Sequence, residues 1–304
     1  MTQSGAYQHQ SRMAIGKSAY YARPAPDLAI QTLNGVVGTD FLPVLGRKIH
    51  ICQRFFYTIA DLFRSLLFSF TLNAYGQDVE TAVPSKNNVI IPSFQKLSDM
   101  IGPERIIWRY DPIFLNETYT FEYHIHYFEE LAKRLSPYTK KCTISFLDFY
   151  RNTEKNIAGL SVEKFTPGIQ ESLAQSLVEI AKSYGLKMDT CAESIDLQKY
   201  GIDHARCIDD RLFSSLLNCP LNVGKDKNQR LECGCIESLD IGAYNTCQNG
   251  CRYCYANYSA KTVCTNTGKH NPESPLLIGE VGPEDKITER KMYSCLFNQM
   301  QFSF

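Results

Sequence analysis

The sequence has no excess of charge of either sign, since 32 Lys and Arg residues balance 32 Asp and Glu residues. This balance argues against a strongly electrostatic partner such as long duplex DNA, while remaining compatible with a local basic patch. The N-terminus also lacks a basic segment followed by an apolar run and a small-residue cleavage site, which is the pattern of a secretory signal. We therefore expect a cytoplasmic protein.

Long uncharged apolar runs are missing as well. The most apolar stretch, Phe55 to Leu72, contains Asp61 and Arg64, which favours a core helix running into a strand over a membrane span. No phosphate-binding loop and no Ser/His/Asp arrangement stands out. His124 and His126 lie in a predicted helix, where they cannot share a face, so a metal role for this pair is not expected. Membrane binding is not expected either.

Cysteine, by contrast, is abundant. The 304-residue chain has 12 cysteines, and nine of them fall between Cys191 and Cys264. A disulfide framework is typical of small secreted chains, whereas this chain is long enough to bury a large core. Cysteines concentrated in one segment of an intracellular protein indicate a metal site. Within that segment, Cys207 lies near His204, Asp209 and Asp210, where a second metal is conceivable but a capped loop is the favoured interpretation.

Strands and helices alternate through the middle of the chain. Buried strands are predicted over residues 68–72, 105–110, 142–147 and 186–191, with helices between them over 93–101, 120–135 and 167–184. Thr166 is the expected cap of the last helix, and Ile169, Leu173, Leu177 and Ile180 should form its inner face. This alternation predicts an α/β fold with a parallel sheet, either open or closed into a partial or full TIM-like (β/α) barrel.

Three regions follow from this pattern. Residues 1–67 form a divergent N-terminal segment, residues 68–224 form the β/α repeats, and residues 225–304 form a cysteine-rich segment and tail. Ligands of such folds bind at the carboxyl ends of the strands. The polar residues at those ends are therefore candidates to line a substrate cavity, namely Arg109, Asp111, Asp148 and Glu193.

Each of these candidates also has an ordinary structural interpretation. Asp148 could equally cap the helix that follows it, and the same holds to a lesser degree for Asp111, which precedes a proline. Arg109 could simply pair with a neighbouring carboxylate.

The sharpest signal in the sequence is the spacing of Cys247, Cys251 and Cys254, in which three and then two residues separate the cysteines. Cys233 and Cys235 precede this motif. Structural zinc prefers two pairs of ligands, usually with two-residue gaps. Iron–sulfur ligation suits these closely spaced thiols better, although zinc remains an alternative.

The Cys-x3-Cys-x2-Cys motif, with Tyr253 directly before its last cysteine, resembles the signature of the radical S-adenosylmethionine superfamily. The Cys-Arg-Tyr-Cys-Tyr sequence around it is also similar to that of spore photoproduct lyase. The resemblance implies that Cys247, Cys251 and Cys254 hold a 4Fe-4S cluster whose fourth iron binds S-adenosylmethionine, with Tyr253 by the adenine. It also implies a 5'-deoxyadenosyl radical, an unknown substrate, and a reductant such as flavodoxin or ferredoxin.

Two features depart from that superfamily. The cysteine motif follows four predicted strands instead of the first one, and no Gly-Gly-Glu stretch is present to bind the amino group of the cofactor. The order of elements therefore resembles a permuted arrangement, in which the site is built from the other end of the repeat.

A longer resemblance runs from about residue 68 to residue 290. Residues 101–112, 190–193, 225–230 and 233–247 are similar to an uncharacterised bacterial family of about 300 residues, which is described as a domain of unknown function and has a cysteine cluster near its C-terminus. The N-terminal 67 residues do not match this family. A frame error or a rearranged gene start would account for the mismatch.

Three hypotheses from different classes follow. The first is a radical S-adenosylmethionine enzyme, and the second is an iron–sulfur electron carrier or sensor in which Cys233 or Cys235 closes the fourth iron site. The third is a zinc-stabilised module that binds single-stranded nucleic acid through the patch from Lys225 to Arg230 and through Tyr255.

Overall fold

The computed structural model describes residues 20–21, 67–238, 242–271, 274, 276–289 and 295. Its centre is a five-stranded sheet in which every neighbouring pair is parallel. The strands are β1 Phe68–Thr71, β2 Ile106–Ile113, β3 Lys141–Phe146, β4 Lys187–Thr190 and β5 Asp203–His204. They lie in the sheet in the order in which they occur in the chain. The predicted α/β fold with a parallel sheet is thus confirmed, and β5 is an addition to the four predicted strands.

Six α-helices accompany the sheet in the described residues: α1 Ile91–Ile101, α2 Phe121–Leu135, α3 Arg151–Ile157, α4 Pro167–Ser183, α5 Asp210–Leu217 and α6 Ala260–Gly268. None of them is long and apolar enough to cross a membrane. Outside the sheet, the two-residue segments Tyr20–Tyr21 and Thr288–Glu289 pair in parallel. The helix predicted from Phe55 onward lies outside the described residues.

The helices begin where their sequences favour a start. Thr120 caps α2 by accepting a hydrogen bond from the Tyr123 N–H, and Thr166 caps α4 by accepting one from the Ile169 N–H. A capping hydroxyl satisfies a backbone donor that has no partner within the helix. One predicted core position in α4 is wrong: Ile169 is 37% exposed, because the first turn of the helix extends beyond the core, which begins at Leu173.

One face of the sheet is apolar and packs against helices. Phe70 of β1 lies level with Trp108 of β2, which lies level with Cys142 of β3. These residues share one buried core with side chains of α1, α2 and α4. Within it, the Trp108 ring stacks on Phe128 of α2 at a centroid distance of 4.8 Å. Burial of this face supplies the main stabilisation of the fold.

The opposite face of the sheet is polar towards the carboxyl ends of the strands. Near the other ends of the strands, Phe213 of α5 covers this face by packing on Leu67 and Ile107. Further along, the register places one residue from each strand side by side in a polar row: Thr71, Arg109, Thr143, Asp189 and Asp203. This row forms the floor of the candidate site.

Candidate functional site

Arg109 and Asp111 form an ion pair on the polar face of β2. The Arg109 Nε donates to Asp111 Oδ2 at 3.0 Å, and Nη2 contacts the same oxygen. Ser145 of β3 donates its hydroxyl to the other carboxylate oxygen. Arg109 is only 8% exposed, so the Asp111 carboxylate is needed to offset the cost of burying its positive charge. The alternative that Arg109 simply pairs with a neighbouring carboxylate is confirmed. Arg109 belongs to the polar row, and Asp111 lies two residues further along β2.

Asn73, which follows β1, holds the Asp111 backbone from the next strand. Its side-chain amide donates to the Asp111 carbonyl oxygen at 2.8 Å and accepts from the Asp111 N–H at 2.7 Å. The pairing of β2 with β3 shifts its register in this region, between Tyr110 and Ile113. Asn73 was missed in the sequence because only the last residue of each predicted strand was considered, which is Thr71 in β1. A polar amide side chain two residues after that strand was the signal that could have identified it.

Glu193 and Asp148 lie at the carboxyl ends of β4 and β3. Glu193 accepts a hydrogen bond from the Phe146 N–H at 2.8 Å, and burial raises the pKa of its carboxyl group to about 7. A carboxyl group that titrates near neutral pH can exchange protons with a bound substrate. Asp148 is more exposed and accepts from Arg230 at 2.8 Å and from the Tyr150 hydroxyl at 3.0 Å. It does not cap α3, whose N-cap residue is Tyr150.

The cysteine loop, Cys247 to Cys254, is docked onto the segment that follows β1. The Thr81 hydroxyl donates to the Gly250 carbonyl oxygen at 3.0 Å, and the Arg252 N–H donates to the Val79 carbonyl oxygen at 2.9 Å. Gly250 has φ +63°, and a Cβ atom there would lie 2.4 Å from the Thr81 hydroxyl. Both the backbone conformation and the close approach therefore require glycine at this position.

The other side of the cysteine loop is held by the end of α3. The Arg252 guanidinium donates to the carbonyl oxygens of Asn156 and Ala158, at 3.1 and 2.6 Å. In return, the Asn156 side-chain amide donates to the carbonyl oxygens of Cys254 and Asn257, at 3.3 and 3.2 Å. The loop therefore bridges the connections that follow β1 and β3, at the carboxyl edge of the sheet.

The three thiols of the cysteine loop are partly buried. Burial, the neighbouring Glu80 carboxylate and the thiols of Cys247 and Cys254 together raise the pKa of Cys251 to about 12. Burial and the nearby Cys254 thiol likewise raise the pKa of Cys247. The three thiols thus lie within electrostatic reach of one another, and thiols with raised pKa values need a cation to become thiolates at neutral pH.

This donor set is chemically suited to an iron–sulfur cluster or to zinc. As the side chains stand, however, no group of three or more His, Cys, Asp or Glu residues in the described part of the chain is arranged to hold a metal ion. Ligation at the cysteine loop accordingly remains a prediction.

Tyr253 anchors the cysteine loop to the interior. Its hydroxyl donates to the Glu80 carboxylate and accepts from the Asn73 side-chain amide at 3.3 Å. Glu80 is 4% exposed, and its second oxygen lies 2.5 Å from the Lys86 amine. The ring of Tyr253 is 5.8 Å from that of Tyr75. Its predicted contact with adenine is untested, and Glu80 was missed because no strand-end pattern marks it.

Cys233 and Cys235 lie beside Cys191 and Cys207, in a group we call the four-thiol cluster. The sulfur atoms of Cys191 and Cys207 are 3.1 Å apart. The interactions of Cys207 with the Cys191 and Cys235 thiols, together with the Arg109 guanidinium, lower the pKa of Cys207 well below its usual value. Cys191 and Cys207 were not among the predicted ligands.

Two cations of the predicted basic patch are engaged within the chain. The Lys225 amine donates to the Leu231 carbonyl oxygen at 2.8 Å, and Arg230 pairs with Asp148. Tyr255 is 54% exposed. An aromatic ring is thus available at the surface, while part of the positive charge expected beside it is already paired.

The comparisons with known proteins place the chain in one family. A family model described as "Domain of unknown function (DUF1848)" matches residues 45–256, which is more than half of the 304 residues. The match begins at residue 45, ahead of Phe68, from which the sequence alone indicated the resemblance. It extends through the sheet to just past Cys254. No curated protein and no solved structure matches the chain. The chain therefore belongs to the DUF1848 family, whose function is unknown, as its sequence predicted.

Proposed function

We propose that the chain is an iron–sulfur protein in which Cys247, Cys251 and Cys254 hold a 4Fe-4S cluster. The observation that carries the proposal is the position of the cysteine loop, whose hydrogen bonds hold its three partly buried thiols at the carboxyl edge of a parallel sheet. Cys233 and Cys235 have other neighbours, which favours three protein ligands over four. A cluster with three protein thiolates keeps one iron available for a further ligand.

The polar side chains beside this loop suit an enzyme better than an electron carrier. The Asn73 side-chain amide donates both to the Asp111 carbonyl oxygen and to the hydroxyl of Tyr253 in the cysteine loop, so the polar face of the sheet and this loop adjoin each other. A bound cluster would supply single electrons there, for reductive cleavage of S-adenosylmethionine if that cofactor binds. Arg109 and Asp111 would orient polar groups of an unknown substrate. Glu193 would exchange a proton with it near neutral pH.

We extend the proposal to the architecture, as a partial (β/α) barrel. Two observations support it: the parallel strands follow chain order in the sheet, and the helices α1, α2 and α4 all pack on one face of it. The opposite face carries the polar row. A barrel interior with its site at the carboxyl ends of the strands has this arrangement.

Anaerobic reconstitution of the full chain with iron and sulfide tests the cluster. We expect about four iron and four sulfide per chain, the composition of a 4Fe-4S cluster. Cys251→Ala should lose most of this iron, whereas Cys264→Ala should keep it. Cys264 is a matched control because it is an exposed thiol of α6, outside the cysteine loop. A colourless protein that takes up zinc in place of iron through Cys251 would overturn the proposal.

Electron paramagnetic resonance of the reduced cluster separates the enzyme from a carrier. Addition of S-adenosylmethionine should change the spectrum if the cofactor binds the open iron, and the natural reductant would then be a flavodoxin-like or ferredoxin-like protein. A spectrum that stays unchanged at saturating cofactor would leave an iron–sulfur redox protein and refute radical chemistry.

A further inference from the structure

The four-thiol cluster is assembled from segments that are far apart in the chain. Cys191 follows β4, and its N–H extends the sheet by donating to Ile144 of β3 at 2.9 Å. Cys207 follows β5, while Cys233 and Cys235 come from a segment that folds back over both strands. That segment is fixed by backbone pairing, because the Ile236 N–H donates to the Ile208 carbonyl oxygen at 3.3 Å.

Ordinary core packing does not account for this convergence. A single buried cysteine behaves as a small apolar side chain, but here the thiols contact one another. A charged donor also faces them: the Arg109 Nη1 donates to the Cys207 sulfur at 3.0 Å. A guanidinium directed at a sulfur favours the thiolate, which is the form that binds metals.

The distance between the Cys191 and Cys207 sulfurs bears on which metal centre suits the cluster. In a tetrahedral site with zinc–sulfur bonds of about 2.3 Å, ligand sulfurs lie about 3.8 Å apart. Cys191 and Cys207 would have to separate by only about 0.7 Å from their present 3.1 Å to reach that value. The thiolates of a 4Fe-4S cluster bind four different irons and must spread much further. This one spacing is closer to that of a single-ion site than to that of a cluster. The four side chains do not surround a common point as they stand, so binding would require them to turn towards the ion.

We propose that Cys191, Cys207, Cys233 and Cys235 bind one zinc-type divalent ion, at a site separate from the cysteine loop. This proposal does not rest on the iron–sulfur assignment. The ion would join the ends of β4 and β5 to the segment around Cys235. Arg109 is its neighbouring positioning residue, since one guanidinium donates both to Cys207 and to Asp111 on the polar face of the sheet. Outer hydrogen bonds of this kind orient metal ligands and tune their basicity.

The test uses the full chain with Cys247→Ala, Cys251→Ala and Cys254→Ala combined, so that the cysteine loop cannot contribute ligands. After expression with zinc and washing with a weak chelator, we expect about one zinc per chain by elemental analysis. Adding Cys207→Ser should lower this zinc content at least tenfold. Adding Cys264→Ala instead should leave it unchanged.

Cobalt provides a readout that does not depend on a folded Cys207→Ser variant. Cobalt added to the metal-free triple variant should give, at one ion per chain, the visible bands of a tetrahedral thiolate site and a thiolate-to-metal charge-transfer band. Absence of both zinc and the cobalt bands would overturn the proposal, as would zinc that persists in Cys207→Ser. Iron and sulfide that are bound by the triple variant and lost on adding Cys207→Ser would also overturn the proposal, because they would indicate an iron–sulfur cluster at these thiols. None of these outcomes depends on whether the wild-type loop binds iron.

Discussion

Protonation of His124 should destabilise the protein in mildly acidic solution. The imidazole is 1% exposed within α2. Its Nε2 lies 2.9 Å from the Phe114 carbonyl oxygen, and its Nδ1 lies 2.7 Å from the Tyr110 hydroxyl. Because a carbonyl oxygen can only accept, Nε2 carries the proton and Nδ1 accepts from the tyrosine. Both hydrogen bonds suit the neutral ring, and burial lowers the pKa of His124 to about 4.

The magnitude follows from linkage. An unfolded histidine has a pKa of about 6.5, and one pKa unit corresponds to about 1.4 kcal/mol, so the shift of His124 amounts to about 3 kcal/mol. The folded-state pKa is depressed, so the unfolded chain binds more protons between the two values. The part of the free energy of unfolding that depends on neutral His124 is fully present above about pH 6.5. It declines as the pH falls and is lost below about pH 4.

Denaturant titrations between these pH values test the prediction on wild type, His124→Gln and His126→Gln. Gln can donate to the Phe114 carbonyl oxygen without titrating, so His124→Gln should lack this pH-dependent loss in the free energy of unfolding. His126→Gln is the matched control, because His126 is exposed on the same helix and its replacement should keep the loss. An NMR titration that gives His124 a pKa near 6.5, or equal acid destabilisation of wild type and His124→Gln, would refute the reasoning.

Three further changes test how the loop and the fold are held. Tyr253→Phe removes the hydrogen bond to the buried Glu80 and should lower the opening free energy of the cysteine loop by about 2 kcal/mol; unchanged amide hydrogen exchange there would contradict this. Gly250→Ala forces a side chain against Thr81 at a positive φ, costs about 1–3 kcal/mol, and should speed iron loss after reconstitution; iron retained at the wild-type rate would count against it. Thr166→Ala removes the cap of α4 and should cost about 1 kcal/mol in denaturant titrations, and no change there would refute the capping role.

The sequence predicted those elements whose signals are local. Buried runs separated by capped amphipathic helices predicted β1 to β4 and the start of α4 at Pro167, because apolar periodicity and caps depend on nearby residues. β5 has only two residues and thus no period to detect. The position of Arg109 and Asp111 at the end of one strand was also predicted, because a polar stretch directly follows the buried run.

Contacts between distant segments could not be predicted in this way. Asn73 and Glu80 reach Asp111 and Tyr253 only after the connections at the carboxyl edge of the sheet have folded over one another. Cys233 was grouped with the cysteine loop because the two are close in the chain, whereas the parallel arrangement of β4 and β5 sets it beside Cys191 and Cys207.

The two groups of thiols are joined by one chain of polar contacts across the sheet. Cys207 accepts from Arg109, and Arg109 pairs with Asp111. Asn73 holds the backbone of Asp111 and also donates to the hydroxyl of Tyr253, the residue before Cys254. Since Arg109 is buried and cannot lose its charge, a change in the charge of the four-thiol cluster must alter how strongly Arg109 holds Asp111. A metal at the four-thiol cluster would therefore fix the electrostatics of the polar face that the cysteine loop adjoins.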